Sequence, residues 1–161
     1  TANKILEKGN VSEWNSFVKQ ESKNRIQVSD LIIRNAILDE ANFLNVDMTR
    51  VVFMNCMLDR AIFSNSVLLD VRFYHCSLIN IHVNSGMFAN CRLYHSDLRG
   101  SSLWDTTLEH IDFCNCDLSD LDFGNSLVNK LFFKDCVLLS TLLTFDIHSS
   151  IKNNSIFYSR D

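Results

Sequence analysis

The chain has 161 residues, a formal net charge of −4 and a sequence pI near 5.7. This length is typical of one domain, and a hydrophobic content of 47% is sufficient to form a buried core. The acidic balance offers no general attraction to nucleic acid or to anionic lipid, so neither direct nucleic-acid binding nor a membrane partner is expected.

The N-terminus shows no targeting signal. Thr1 to Glu7 lacks the basic-then-apolar order of a secretion signal, and no apolar run reaches the roughly 18 residues of a membrane span. We therefore expect a soluble protein, and the cysteines considered below favour the cytoplasm. Because the chain begins with Thr rather than Met, it is expected to be either a processed protein or an excised domain.

Residues 1–27 are predicted to form an N-terminal helical cap, since apolar residues recur there at helical spacing. These residues are Ile5, Leu6, Val11, Trp14, Phe17 and Val18. Ser12 is placed to cap the helix N-terminus. We expect this helix to pack over apolar residues that the following segment directs outward, namely Ile32, Ile37, Val52 and Met57.

Residues 28–144 follow a strict period of five. From Val28 to Leu143 every fifth residue is Val, Ile, Leu, Met or Phe, which makes 24 units in register. A helix repeats apolar residues at three and four, and a strand at two, so a period of five requires a corner in each unit. A second inward site, usually small or aliphatic, stands two positions earlier. Each unit is therefore predicted to be a short strand and a polar turn, and four corners close a square.

These units closely resemble the pentapeptide-repeat family, in which a small residue, an Asp or Asn, and a Leu or Phe follow one another. The resemblance is carried by units such as Ala41-Asn42-Phe43, Ser96-Asp97-Leu98, Cys116-Asp117-Leu118 and Leu121-Asp122-Phe123. It implies an all-β solenoid, a right-handed quadrilateral β-helix with four units per coil and about six coils. The second position departs from the family pattern at Ile62, Arg72 and His82.

Four units per coil place residues 20 apart on top of one another, and the sequence supports this register. Three predicted core columns are Leu38, Leu58, Leu78, Leu98, Leu118 and Leu138; Ile33, Phe53, Phe73, Leu93, Phe113 and Phe133; and Ala36, Cys56, Cys76, Ser96, Cys116 and Cys136. Like residues stack on like, which fills each wall of the solenoid evenly.

The cysteines of the third column invite a disulfide or metal interpretation, but we interpret them as small packing residues. Strands about 4.8 Å apart hold neighbouring side chains farther apart than the roughly 3.8 Å between Cβ atoms that a disulfide prefers. Nothing in the column supplies four tetrahedral ligands. Cys114 alone is expected to be exposed, and reduced thiols fit the cytosol. No metal or cofactor is predicted.

His75 and His95 are also 20 residues apart. We interpret them as part of a corner ladder that satisfies turn backbone groups, and a shared metal or a pH-sensitive contact is the alternative. The sequence contains no recognisable catalytic constellation or phosphate-binding glycine loop, and a filled rod offers no cleft, so no enzymatic activity is predicted.

The outside of the rod must carry the function. Tyr74 and Tyr94 share one column and Trp104 is expected near the next corner, so these three aromatic residues are candidate partner-binding residues. The second candidate is an acidic belt in the fifth coil, with Asp97 stacked above it: Asp105, Glu109, Asp112, Asp117, Asp120 and Asp122. Each feature also admits a simpler interpretation, as stacked tyrosines and a solubilising surface.

The C-terminal segment, residues 145–161, is predicted to be a cap or a dimerisation element. Its apolar residues, with outward residues of the last coils, form one cluster: Phe145, Ile147, Ile151, Ile156, Phe157 and Tyr158, with Leu127, Phe132, Val137 and Leu142. The resemblance implies a homodimer through this end.

The leading functional hypothesis is a non-enzymatic protein-binding or scaffold module that presents a rigid rod. The alternative implied by the resemblance is a DNA mimic that binds DNA gyrase or topoisomerase IV. Such a mimic requires continuous negative charge over a face, whereas basic residues interrupt every long acidic stretch here. A third hypothesis is a targeting module of a larger secreted effector.

Overall fold

The corners of the backbone adopt the left-handed conformation. The structure is a computed structural model. It describes residues 1–142 in full and residues 151–152 and 156–158 by their backbone alone. Every fifth residue from Asp30 to Ser140 has a positive φ, between 49° and 66°. Asn, Asp and Gly tolerate this region best, and 13 of these 23 corner residues are Asn or Asp. The polar corners that the sequence predicts therefore have a conformational as well as a solvation cause.

Short strands connect the corners. They are β1 Ile26–Arg34, β2 Val46–Met54, β3 Val67–Leu69, β4 Arg72–Tyr74, β5 Met87–Ala89, β6 Arg92–Tyr94, β7 Thr107–Cys114, β8 Leu127–Lys134, β9 Val137–Leu139, β10 Ile151–Lys152 and β11 Ile156–Tyr158. From β1 to β8, paired residues are 20 apart and the strands run parallel, as in Ile33 beside Phe53. The result is a parallel β-solenoid, which confirms the predicted fold class, with about five turns instead of the six that were predicted.

The solenoid has four walls. We name three of them after Tyr74 and Tyr94, the leucine column and Trp104, and call the remaining one the fourth wall. The tyrosine wall buries the column from Ile33 to Phe133, and the leucine wall buries the column from Leu38 to Leu138. The tryptophan wall buries Phe43, Phe63, Val83, Leu103 and Phe123, and the fourth wall buries the column from Val28 to Leu108. Since 20 residues make one turn, residues ten apart lie on opposite walls.

The predicted core columns are buried and stacked. In the tyrosine wall, the rings of Phe53 and Phe73 stack at 5.1 Å, and those of Phe113 and Phe133 at 5.5 Å. Phe113 also meets Phe123 of the opposite wall edge to face at 6.3 Å. Leu93 interrupts the aromatic column, and the small apolar cavity of about 10 Å³ beside it is at the lower limit of the space that holds one water molecule.

Two short helices precede the solenoid, α1 (Ala2–Glu7) and α2 (Val11–Gln20). The prediction that Ser12 caps the helix was wrong. Asn10 is the cap, because its Oδ1 accepts a hydrogen bond from the backbone N–H of Glu13 at 3.0 Å. Gly9, with a φ of 66°, lies between the two helices. No helix in the described part of the chain is long and apolar enough to span a bilayer.

The helices cover the open end of the first coil, whose backbone has no preceding coil to pair with. Asn15 Nδ2 donates to the carbonyl of Glu40, and the N–H of Asn42 donates to Asn15 Oδ1 at 2.7 Å. Trp14 Nε1 donates to the carbonyl of Asn42, and Asn3 pairs with both backbone groups of Ser29. Side chains thus replace the missing rung of the ladder.

This placement corrects a second expectation. The helices do not cover the outward apolar residues of the first coils, because the unpaired backbone groups lie at the end of the solenoid and not on its walls. Ile32 and Ile37 remain 52% and 63% exposed, and Met57 is also exposed. The predicted C-terminal cluster rests mainly on side chains of residues 145–161, which lie outside the described residues.

Candidate functional site

The cysteine column lies inside the solenoid. The thiols of Cys56, Cys76, Cys116 and Cys136 are buried and form no disulfide, and each points at a backbone carbonyl, as Cys116 Sγ does at the carbonyl of Leu93. Cys114, which the sequence predicts to be exposed, is half-buried. In the described part of the chain no cluster of three or more His, Cys, Asp or Glu side chains could hold a metal ion.

Burial keeps the interior thiols out of reach of reagents in solvent. Cys91 lies in the core, and desolvation of the thiolate raises the pKa of its thiol to about 12. The thiolate is the nucleophile, so this group remains protonated and inert at neutral pH. We expect a disulfide-exchange reagent at pH 8 to modify Cys114 rapidly and the five buried cysteines only after unfolding. Rapid modification of more than one thiol in the native protein, or the same labelling in a Cys114→Ser variant, would contradict this.

The tyrosine wall carries two almost identical rungs in succession. Arg72-Phe73-Tyr74-His75 lies directly beside Arg92-Leu93-Tyr94-His95, in parallel register. The rings of Tyr74 and Tyr94 stack at 5.1 Å with an angle of 6° between their planes. The imidazoles of His75 and His95 stack at 4.8 Å on the neighbouring corner. The inward Phe73 and Leu93 anchor these rungs in the core, so the outward side chains stand on a rigid support.

The structure separates Trp104 from the tyrosines. Trp104 is ten residues from Tyr94 and therefore lies on the opposite wall, where it is 48% exposed. Its indole lies against Gly124 of the next coil, where an added Cβ would stand 2.5 Å from Trp104 Cδ1. The expectation that Trp104 lies near the tyrosines was therefore wrong, and the half-turn of ten residues was the signal in the sequence that shows it.

The acidic belt surrounds the solenoid instead of covering one face. Glu109 lies on the fourth wall, Asp112 on the tyrosine wall, Asp117 on the leucine wall and Asp122 on the tryptophan wall, while Asp105 and Asp120 occupy corners. Asp97 lies beside Asp117 in the preceding coil.

Most carboxylates of the acidic belt form hydrogen bonds or ion pairs with neighbouring groups. Asp122 accepts from the N–H of Gly124 at 2.7 Å, and Asp105 accepts from Ser85 Oγ at 3.0 Å. Arg99 lies 2.6 Å from Asp97 and 3.8 Å from Asp117, and Arg92 lies 3.4 Å from Asp112. These contacts give the belt a structural role and divide its negative charge among four walls.

The corners, walls and stacked columns define a β-solenoid built from five-residue repeats, with its variable chemistry on the outside. The family model for pentapeptide repeats matches residues 33–65 and 91–129 in eight copies. The chain therefore contains repeats of the pentapeptide-repeat family. Proteins of this family are generally non-enzymatic structural or protein-interaction modules.

Several solved structures resemble this chain. QnrB1, a plasmid-mediated fluoroquinolone resistance protein, is 16% identical over 84% of this chain and 88% of its own, with a TM-score of 0.49. The pentapeptide-repeat protein Rfr23 from the cyanobacterium Cyanothece 51142 is 11% identical over 89% and 97%, with a TM-score of 0.42. A pentapeptide-repeat protein from the Arabidopsis thaliana thylakoid lumen is 15% identical over 68% and 73%, with a TM-score of 0.37. No curated protein matches the chain.

Proposed function

We propose that this chain is a non-enzymatic protein-interaction module and that its tyrosine wall is the binding surface. The observation that carries the proposal is the pair of matching rungs. In these rungs Tyr74 stacks on Tyr94, with an arginine on one side of each tyrosine and a histidine on the other. Tyrosine and arginine are the residue types that most often dominate the free energy of protein–protein binding. A rigid wall also loses little conformational entropy when a partner binds.

The described surface supports binding better than catalysis. The interior is filled by apolar side chains, and the two depressions on the tyrosine wall are open to solvent. None of the six cysteines, all of which lie in the described part of the chain, forms a disulfide, which fits a reducing compartment, and we propose the cytoplasm. Dimerisation through residues 145–161 stays a prediction.

The DNA-mimic alternative is supported less well by the charges. The leucine wall carries four carboxylates on its strands, Asp39, Asp59, Asp97 and Asp117, but Arg99 lies between the last two. Glu40, at the corner of the same wall, pairs with Arg60 at 3.1 Å. A DNA mimic should inhibit supercoiling by gyrase at micromolar protein, and that result would favour the alternative over our proposal.

The proposal predicts that the tyrosines are required for partner binding. We expect a Tyr74→Ala/Tyr94→Ala variant to lose a specific partner captured from native cells, with an affinity loss of at least about 30-fold, because central interface aromatics contribute 2 kcal/mol or more. Quantitative mass spectrometry followed by titration of the captured protein measures this loss. Trp104→Ala removes an exposed aromatic from the opposite wall and is the matched control. Equal losses in both variants, or no loss in either, would contradict the proposal.

A further inference from the structure

Positive charge is concentrated on the tyrosine wall. At the outward strand positions of this wall between residues 26 and 142, four basic residues face one acidic residue: Arg34, Arg72, Arg92 and Lys134, with Asp112. The strands of the other three walls carry one basic residue in that range, Arg99, against seven acidic ones. The chain as a whole has a net charge of −4, so this wall is opposite in sign to the rest of the solenoid.

The same wall holds basic side chains that lack an internal partner. Arg50, Arg60 and Arg99, which lie elsewhere, each pair with a carboxylate at 2.6 to 3.1 Å. Within the described residues, Arg34, Arg72 and Lys134 have no carboxylate within 4.0 Å, and the Arg34 guanidinium donates to Met54 Sδ at 2.7 Å. These side chains are exposed. Unpaired positive charge is therefore available to a ligand on this wall.

Arg72 lies directly beside Arg92 in neighbouring parallel strands. Like charges in such positions repel each other and destabilise a sheet. Asp112 neutralises Arg92 from the following coil at 3.4 Å, which leaves Arg72 uncompensated. The two arginines line an open depression of about 340 Å³, which also contains Asp70, Asp112 and Phe132. A local conflict of this kind is typical of a functional surface.

The tyrosines determine what kind of anion fits. Because Tyr74 and Tyr94 stack on each other, their facing ring surfaces are occupied and cannot accept a nucleobase between them. Within the described part of the chain no hydrogen bond engages either hydroxyl. Hydroxyl and guanidinium donors then lie together on one wall, and among protein groups a carboxylate accepts from both and forms the stronger, charge-assisted hydrogen bond with the guanidinium.

We propose that the tyrosine wall binds an extended acidic segment of a protein partner, which lies along the solenoid axis. This inference rests on the proposed function and adds the chemistry of the partner. Arg34 and Lys134 are five rungs apart, about 24 Å at roughly 4.8 Å per rung, and an extended chain rises about 3.3 Å per residue. The segment that contacts both ends therefore has about seven residues. Its carboxylates pair with Arg72 and Lys134, and the tyrosine hydroxyls donate between these two residues.

The test uses a fluorescein-labelled octapeptide of alternating glutamate and serine, titrated with the full chain at low salt. We expect binding that weakens by about tenfold in an Arg72→Gln/Lys134→Gln variant, because two exposed charge pairs with the peptide are lost. An Arg60→Gln/Arg99→Gln variant removes the same net charge from other walls and should bind as the native chain does. All four side chains are exposed, so both variants should melt as the native protein does.

Several outcomes would overturn the inference. These are no binding of the peptide, equal losses in the two double variants, or equal binding of the matched glutamine and serine peptide. Equally tight binding of a single-stranded DNA octamer would also overturn it, because the wall would then be a general polyanion site.

The inference and the proposed function can fail separately. Loss of the cellular partner in the Tyr74→Ala/Tyr94→Ala variant, without binding of the acidic peptide, would retain the tyrosine wall as the interface and reject the acidic partner. Suppose instead that peptide binding requires Arg72 but the Tyr74→Ala/Tyr94→Ala variant still captures the cellular partner. That result would support the acidic ligand and reject the tyrosines as the interface.

Discussion

Leu98→Asp is expected to abolish folding. Leu98 is 2% exposed and lies between Leu78 and Leu118 in the continuous column of the leucine wall. A carboxylate there has no partner, and the effective cost of burying an unpaired ion is several kcal/mol, comparable to the whole stability of a domain of this size. A solenoid is held together by contacts between neighbouring coils, so a break at this rung uncouples the coils on either side.

Far-UV circular dichroism and a urea titration measure the effect of Leu98→Asp. We expect no cooperative transition in this variant at pH 7. Asn80→Asp is the control, because it introduces the same charge at an exposed corner of the preceding coil, where Asp tolerates the left-handed conformation. A cooperative Leu98→Asp variant with unchanged melting would show that the register of 20 is wrong.

Trp14→Ala is expected to destabilise the protein by about 3 to 5 kcal/mol, the usual cost of truncating a buried aromatic residue. Trp14 is fully buried and its ring contacts Phe43 at 5.4 Å. Its Nε1–H also donates to the carbonyl of Asn42 at 2.9 Å, and loss of this donor leaves an edge carbonyl of the first coil without that partner. The substitution therefore creates a cavity and opens the covered end of the solenoid.

Thermal and urea unfolding of Trp14→Ala and Trp104→Ala provide the comparison. Trp104 is half exposed, so its truncation should change the free energy of unfolding by less than about 1 kcal/mol. In Trp104→Ala the remaining tryptophan fluorescence comes from Trp14 and reports on the covered end directly. Similar stabilities for the two variants would show that the N-terminal helices do not protect the first coil.

The period of five predicts the inside of this protein well because the inward positions repeat along the chain. Whether a residue such as Leu98 faces the core depends only on its place in the unit, and residues 20 apart then stack without further information. The same register could have placed Trp104 opposite Tyr94, half a turn away. Trp104 is misplaced when units close together in the sequence are taken to lie on the same surface.

The ends and the outside behave differently. The position of the helices depends on which backbone groups of the first coil lack partners, and these groups exist only once the coil has formed. Asn15 and Trp14 reach them across 25 and 28 residues of sequence, a distance that no local pattern encodes. The sequence therefore indicated that a cover exists but not what it covers.

The sequence by itself determined the solenoid, its core columns and the polar corners, because each depends on the short-range alternation of inward and outward side chains. Only the tertiary structure decided which arginines are neutralised, because a long side chain can reach carboxylates at several positions in adjacent coils. Arg92 reaches Asp112 and Arg50 reaches Asp30, whereas Arg72 reaches no carboxylate in the described residues. That difference arises from the stacking of coils, and it makes the tyrosine wall the surface with positive charge available for a partner.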